Sequence, residues 1–429
     1  MLLLPRRALG RPRAEDLVWC CPARDEGFTP AVSAPAGRLL YLALADARGH
    51  LMRARLLSRA LAAADIQVDV VTTAREGVEF LAAMGVRSGL LSEHFRVEFG
   101  DRHDMSRTRT DARVFNYLVL PWRALGDLRR LGLLARGADL VVNDSLHPAL
   151  LLAPAIGFPV PIVQLYGENL WRAMEDNLDD RAPAWVAARY KTALRAVRER
   201  AFARIIHTLG STQPEPGTSA RTYRVVPIVA RPERTPAQVR AELGVPQGTP
   251  LAAVYLNPHF RHPSIAEAVE EGLRRGGFRM VAVGEGYAGR PGWVGTDARF
   301  GDVVHAAEVF VSGAGMGALE LARSSGTPLL VLLGDQPEQA RNVAELVRRA
   351  PDFALRSVLV GDPDLPGAIA AAARVLSSRR TESPAEPRPP GEEPWVRAFQ
   401  ELVRAARLRM SARRPLLPSA RQALGPGVP

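Results

Sequence analysis

Short apolar runs of strand length alternate along this chain with stretches of helical period, and that alternation constrains the fold more than any other feature. LLYLALA (residues 39–45) is followed by LMRARLLSRALAAA (51–64), with Leu or Ala recurring at helical spacing, and then by QVDVVTT (67–73). A strand that is apolar on both faces must be covered on both faces, which parallel sheets flanked by helices achieve. A helix near residues 76–84 and the strands ADLVVND (138–144), PVPIVQL (159–165) and RIIHT (204–208) continue the series. VVPIVARPERTP (225–236) then breaks it with prolines and no sustained period, as a linker would. Alternation resumes with LAAVYLN (251–257), a helix near 264–275, FRMVAVG (278–284), EVFVSG (308–313), a helix from Met316, PLLVLLG (328–334) and a helix over 337–349. The expectation is an α/β protein of two doubly wound Rossmann-like domains facing across a cleft, with a C-terminal helix.

The expected boundaries are a disordered extension over 1–36, a first domain over 37–227 and a linker over 228–236. A second domain over 237–376, an irregular linker over 377–393, an amphipathic helix over 394–411 and a disordered tail over 412–429 complete the chain. Its 429 residues suit two domains. The two cysteines, Cys20 and Cys21, are adjacent and cannot staple such a fold, so a reducing, cytoplasmic setting is the default expectation. The N-terminal charges follow an apolar stub, unlike a secretion signal. The most apolar run, 149–165, is interrupted by Pro154, Pro159 and Pro161 and is too short to span a bilayer.

The formal charge of +11 is concentrated near the end, where arginines 397, 404, 407, 409, 413, 414 and 421 face one acid, Glu401. This distribution argues for a local anionic partner and against a nucleic-acid channel through the body. Lys191 is the only lysine among 56 basic residues, a skew that codon bias in a GC-rich genome would give. The helix from Trp395 has an apolar face and an arginine-rich one. It either packs back across the domains, the preferred alternative, or grips anionic lipid as a peripheral membrane element.

In doubly wound sheets ligands bind beyond the carboxyl ends of the strands, so function is sought in those loops. The strongest signal is VFVSGAGMGALELARSSGTPLLVLLGDQPEQA (309–340). Ser312, Gly313, Ala314 and Gly315 lead from a buried strand into a helix beginning at Met316. Small residues admit a close ligand, and the amides of a helix N-terminus favour phosphate. Glu320 could accept from ribose hydroxyls, and Asp335 with Gln336 suits sugar hydroxyls. The competing reading is a tight turn with polar surface residues. In the first half, His50 sits in Gly49-His50 after the first strand, where an imidazole could take a proton near neutral pH. A structural histidine is the alternative.

The second half resembles the donor domain of GT-B glycosyltransferases, especially the UDP-glycosyltransferases and the N-acetylglucosaminyl transferase of peptidoglycan lipid synthesis. The frame HxGxxSxxEA … GVPxxxxPxxxDQxxNA is matched by SGAGMGALELA and SGTPLLVLLGDQPEQA. Ser312 stands where the family often has a histidine that contacts diphosphate, and Gln339 replaces an asparagine. GHLMR matches GHxxP without its proline. The resemblance covers roughly 37–376 and is weak over 76–136, where such enzymes bind acceptors.

The resemblance implies a GT-B enzyme moving a sugar, with inversion and without metal or other cofactor, from a nucleotide-diphosphate sugar (UDP-sugar) to an acceptor hydroxyl. The first domain would bind acceptor and the second the nucleotide sugar. His50 would be the base and Asp144 its orienting carboxylate, with a helix cap as the equally weighted alternative for Asp144. The loop Asn257-Pro258-His259-Phe260-Arg261-His262 departs from the family, which usually has small Gly/Ser residues there; Asn257 and Arg261 would flank the donor, and Arg261 or a histidine could supply charge to the phosphates. Trp293 and Val294, with Phe300, are candidates for the base, a core role being equally open for the aromatics. The acceptor would be a hydroxyl-bearing small molecule or lipid-linked compound of bacterial envelope or secondary metabolism, met in the cytoplasm or at the inner membrane face. Arg102, Arg107, Arg109, Arg113 and Trp122 either face an acidic acceptor or form a solvated surface. His259 and His262 lack a third ligand in sequence, so no metal is expected. The alternatives are a sugar-nucleotide 2-epimerase and a non-catalytic sugar-nucleotide-binding protein.

Overall fold

A computed structural model describes residues 35–45, 48–95, 109, 113, 116–117, 120–144, 146–153, 157–176, 184–210, 221–334, 336–379 and 391–413. The proposed extension up to residue 34, the tail beyond Arg413, Asp335, Arg102 and Arg107 lie outside these residues, as do residues 380–390 of the 377–393 linker.

Two parallel sheets form the body. The first has seven strands, β1 (Gly37–Ala43), β2 (Ile66–Thr72), β3 (Ser88–Leu90), β4 (Leu140–Asp144), β5 (Ile162–Gly167), β6 (Ala203–His207) and β7 (Thr222–Val225), in the order β3-β2-β1-β4-β5-β6-β7. The second has six, β8 (Leu251–Tyr255), β9 (Arg279–Val283), β10 (Trp293–Val294), β11 (Val309–Gly313), β12 (Leu329–Leu333) and β13 (Leu355–Leu359), in the order β10-β9-β8-β11-β12-β13. Every pairing is parallel, for example Leu39 with Val68 and with Leu140. The chain order reverses at β1 and at β8, so each sheet has a switch point beside its first strand, where a crevice opens between loops.

The continuous apolar runs are the central strands. Leu39, Tyr41 and Ala43 are fully buried in one core layer, and Leu40 and Leu42 serve another on the opposite face. The second sheet is built likewise, with Val309 and Val311 on one side and Phe310 on the other. The sequence missed the edge strands β3, β7, β10 and β13, which are short or carry polar residues. The helix after β4 covers Pro148–Leu152.

The segment between the sheets is tied to the second. Asp302 accepts from the Glu233 amide at 2.7 Å and pairs with Arg234 at 2.8 Å. The last helix, Glu393–Arg413, returns to the first sheet, as the packing alternative requires. Trp395, Phe399, Leu402, Val403 and Ala406 join the core around β1, Trp395 Nε1 donates to the Val226 carbonyl at 2.8 Å, and Arg407 grips both oxygens of Asp139. Among the described residues no helix is long and apolar enough to cross a membrane.

Trp395 is fully buried. Trp395→Ala should therefore cost about 3–5 kcal/mol of stability from lost burial and the cavity left behind. Chemical denaturation of the full chain measures this, and a cost below about 1 kcal/mol would contradict the docking described.

Candidate functional site

Because all strands in each sheet run the same way, each sheet gathers its carboxyl-end loops on one rim. On the first rim Asp144 ends β4 and is fully buried. It accepts from Tyr41 Oη at 2.6 Å and from Arg53 Nε and Nη2, both at 2.9 Å, and its Oδ1 lies 3.0 Å from His50 Nδ1. Burial alone would raise the Asp144 carboxyl. The Arg53 guanidinium and His50 outweigh it and hold the group well below the usual carboxylate range. Asp144 is thus an ionised anchor and caps no helix. Asn143 does the local loop work instead, accepting from the His147 amide at 2.9 Å. Leu146, just beyond, holds a left-handed φ of 61° although it is bulky and buried, a strained conformation at the rim.

His50 lies in the first turn of the helix Arg48–Ala62, and Arg53 is one turn further on the same face. Arg53 Nη2 also reaches within 2.6 Å of His50 Nδ1. The two contacts compete: donation from Nδ1 to Asp144 leaves Nε2 as a proton acceptor, whereas acceptance from Arg53 leaves Nε2 protonated. Base chemistry at His50 requires the first arrangement. His207, at the end of β6, lies close by. Both its ring nitrogens lack a hydrogen-bond partner among the described residues, and burial, aided by Arg53, pushes its pKa well down. A Cβ on Gly167 would sit 3.0 Å from His207 Cε1, so glycine is what admits this ring. Sequence reading missed Arg53, Tyr41 and His207. Arg48, Arg53 and Arg55 in an otherwise apolar helix were the available signal for buried charge needing anions.

On the second rim Ser312 and Gly313 end β11, and the Phe260 ring lies so close that a Cβ on Gly313 would stand 2.6 Å from its Cε2. Gly315 precedes the helix Met316–Ser325 without a side-chain cap, and Cβ positions at Gly315 and Gly317 meet nothing within 4 Å. A side chain at either glycine would therefore meet open space, and the first turn keeps the uncapped amides that favour an anion. Ala314 is fixed from behind, its carbonyl accepting from Asn342 Nδ2 at 3.0 Å, and Met316 is buried. Glu320 is also buried and accepts from Arg323 Nε at 2.8 Å, so its carboxylate already has a cation in its own helix.

Asn257 Oδ1 accepts from the His259 amide at 3.0 Å and shapes its loop, while the Arg261 stem packs over Gly286. His262 caps the helix Pro263–Gly276. Gln336 heads the helix Pro337–Arg349, and its side-chain oxygen accepts from Gln339. Trp293 takes the core alternative. It is buried, packs on Tyr287 with ring centroids 4.6 Å apart, and donates to Glu270 at 2.6 Å, which leaves no open face for a base. Phe300 is likewise core, whereas Val294 is exposed. In the acceptor-side stretch Arg109 and Trp122 are exposed, and Arg113 donates to the Glu93 and His94 carbonyls.

The two rims touch. Arg48, buried and lying 5.2 Å over the Phe80 ring, makes a bidentate pair with Glu285 just past β9. Asn169, just past β5, donates to Asn342 at 2.9 Å, which continues to Ala314. Burial raises the Glu338 carboxyl, and His50 and Arg53 partly offset this, so the second rim brings an acid to the His50 cluster.

No family model matches the sequence, and no curated protein sequence is significantly similar to it. Solved structures do match. The chain is similar to the calicheamicin glycosyltransferase CalG4 (19% identity, TM-score 0.52, covering 88% of this chain and 99% of that one). It is similar to Arabidopsis thaliana UGT89C1 complexed with quercetin (12%, 0.55, 86% and 94%) and to the spinosyn forosaminyltransferase SpnP (16%, 0.51, 86% and 99%). At such identities the likeness is one of fold, and the fold is GT-B.

Two outcomes follow from the buried charges. Asp144→Asn removes the anion from a buried guanidinium and should cost about 3–5 kcal/mol. Asp144→Asn with Arg53→Met should recover much of that in denaturant unfolding, because no orphaned charge remains; strictly additive losses would contradict the coupling. His147, packed edge-on to Phe95 and Tyr117, is pushed down to about 4 by burial. The unfolded chain, with the ordinary value near 6.5, binds the extra proton first. Stability present above about pH 6.5 should thus fall by up to ~3 kcal/mol as pH drops to about 4. His147→Leu should flatten that slope by about one proton, as stability curves at several pH values would reveal.

Proposed function

We propose that this chain is a glycosyltransferase that moves a sugar from a nucleotide-diphosphate sugar to an acceptor hydroxyl, with inversion and without a metal. The observation that carries the reading is His50, held at the first rim against the buried, ionised Asp144 and facing a second rim whose open helix N-terminus suits a diphosphate. The three solved structures reported above are transferases by name, which favours transfer over epimerisation.

In this reading the diphosphate of a UDP-sugar lies over residues 312–316, with Arg261 adding charge, and the sugar meets Asp335 and Gln336. Asn257 and Val294 border the donor, and Glu320 reaches the ribose in competition with Arg323. His50 takes the acceptor proton as the hydroxyl attacks the anomeric carbon, and attack from the face opposite the leaving group inverts that centre. Asp144 orients the ring and stabilises the imidazolium. Arg53 sets a limit on this, since its charge opposes a second cation beside it and ties up much of Asp144. Helix amides and Arg261 stabilise the departing nucleoside diphosphate, so a divalent cation is not needed.

The test is nucleoside diphosphate release from a panel of nucleotide sugars with mixed hydroxyl acceptors, with and without EDTA. Wild type should turn over at least one donor equally well in EDTA, and His50→Ala should lose at least about a hundredfold, the lower range of general-base contributions. Release independent of His50 would defeat the base role. Absence of binding to every nucleotide sugar would defeat the assignment.

A further inference from the structure

A second polar feature on the first rim is used by none of the chemistry above. A cavity of about 500 Å³ is lined by Arg75, Arg113, Arg123, Arg130, His94 and Glu93, with Leu90 and Ser92 completing the wall. Among the described residues the Arg75 and Arg123 guanidinia make no hydrogen bond or ion pair, and Arg130 makes one, to the Leu91 carbonyl at 2.6 Å. The acids described here are Glu93 in the wall and the buried Asp127 beneath. Asp127 is committed to Ser92 Oγ at 2.9 Å and Tyr117 Oη at 2.7 Å, with His94 Nδ1 at 3.3 Å. Asp127 thus holds the wall in shape, and among the described residues Arg75 and Arg123 are left with no carboxylate of their own. Arginines gathered around one space repel each other, and an anion with several oxygens relieves this by accepting their forked donors.

Arg75 begins the helix after β2, and Leu90 ends β3, so the cavity lies at the carboxyl ends of these strands, on the rim that carries His50. β3 is two strands from β1, about 10 Å at the usual strand spacing. One elongated molecule can therefore present a hydroxyl to His50 and an oxyanion to the arginines.

We infer that this cavity is an oxyanion subsite for the acceptor, and that the acceptor is a hydroxyl compound bearing a carboxylate or phosphate at its far end. This rests on the transferase reading for the identity of the ligand as acceptor, but not for the existence of the anion site. The arginines act by binding and orientation, so their effect should fall on KM and hardly on kcat.

The experiment offers the full chain a hydroxynaphthoic acid, its neutral carboxamide and the corresponding hydroxynaphthyl phosphate, together with the donor found above. Calorimetric titration of the acid without donor runs alongside. The acid or the phosphate should exceed the carboxamide at least tenfold in kcat/KM, through KM, and whichever leads identifies the anion. Arg75→Gln with Arg123→Gln should bring that ratio close to one and weaken acid binding at least tenfold, with Arg75→Gln alone intermediate. Equal use of all three acceptors, or a ratio unmoved by the substitutions, overturns the subsite and leaves the transferase reading standing. Arginine-dependent binding of the acid with no transfer to any acceptor keeps the anion site, overturns its assignment to an acceptor, and counts against the transferase reading instead.

Discussion

A buried guanidinium must have an anion, and for Arg48 that anion comes from the other half of the molecule. Its pairing with Glu285 brings the loop after β1 against the loop after β9. Desolvating both partners is costly, so the pair adds little net stability, but leaving either alone would cost several kcal/mol. The ion pair therefore acts mainly as a constraint on geometry. With Asn169–Asn342–Ala314 beside it, the two loop rims are held face to face. Every proposed role, from diphosphate at the glycine turn to proton removal at His50, depends on that juxtaposition.

Within the cleft, two carboxyl groups are driven in opposite directions by their surroundings. Asp144 has Arg53 at both oxygens and stays ionised. Burial instead pushes the Glu338 carboxyl upward, and neither Arg53 nor His50 fully offsets this. Such divergence between neighbouring acids is a frequent property of reaction centres, because it separates a fixed negative charge from a group able to hold a proton. His50 is in contact with the first of them, Asp144.

Much of this architecture could be read from residue patterns, since a strand covered on both faces needs an unbroken apolar run and the central strands of both sheets have one. The positions of the glycine turn before Met316 and of His50, at the start of the helix after β1, were legible for the same reason, because topology confines function to the segments that follow strand ends. The edge strands escaped notice, as one exposed side relaxes the demand for apolar residues; β13 has the mixed sequence LRSVL. Pairings distant in sequence escaped as well. Tyr41 and Arg53 meet Asp144 across about a hundred residues, and nothing local marks them apart from the oddity of arginine in an apolar helix. Trp293 and Glu320 illustrate the converse. A chemically suitable side chain can be engaged by a neighbour, Glu270 in one case and Arg323 in the other, and one-dimensional spacing does not disclose it.

The return of the final helix to the first sheet means that the polypeptide passes between the halves twice, once after β7 and again before Glu393. One tether would permit one half to swivel freely about the other. A second crossing acts as a second pin and restrains that swivel. Since Asp302 clamps Glu233 and Arg234 to the second half, the first pin is shortened to the few residues between Val225 and Glu233. Relative movement of the halves at that crossing is then limited to what those few residues allow.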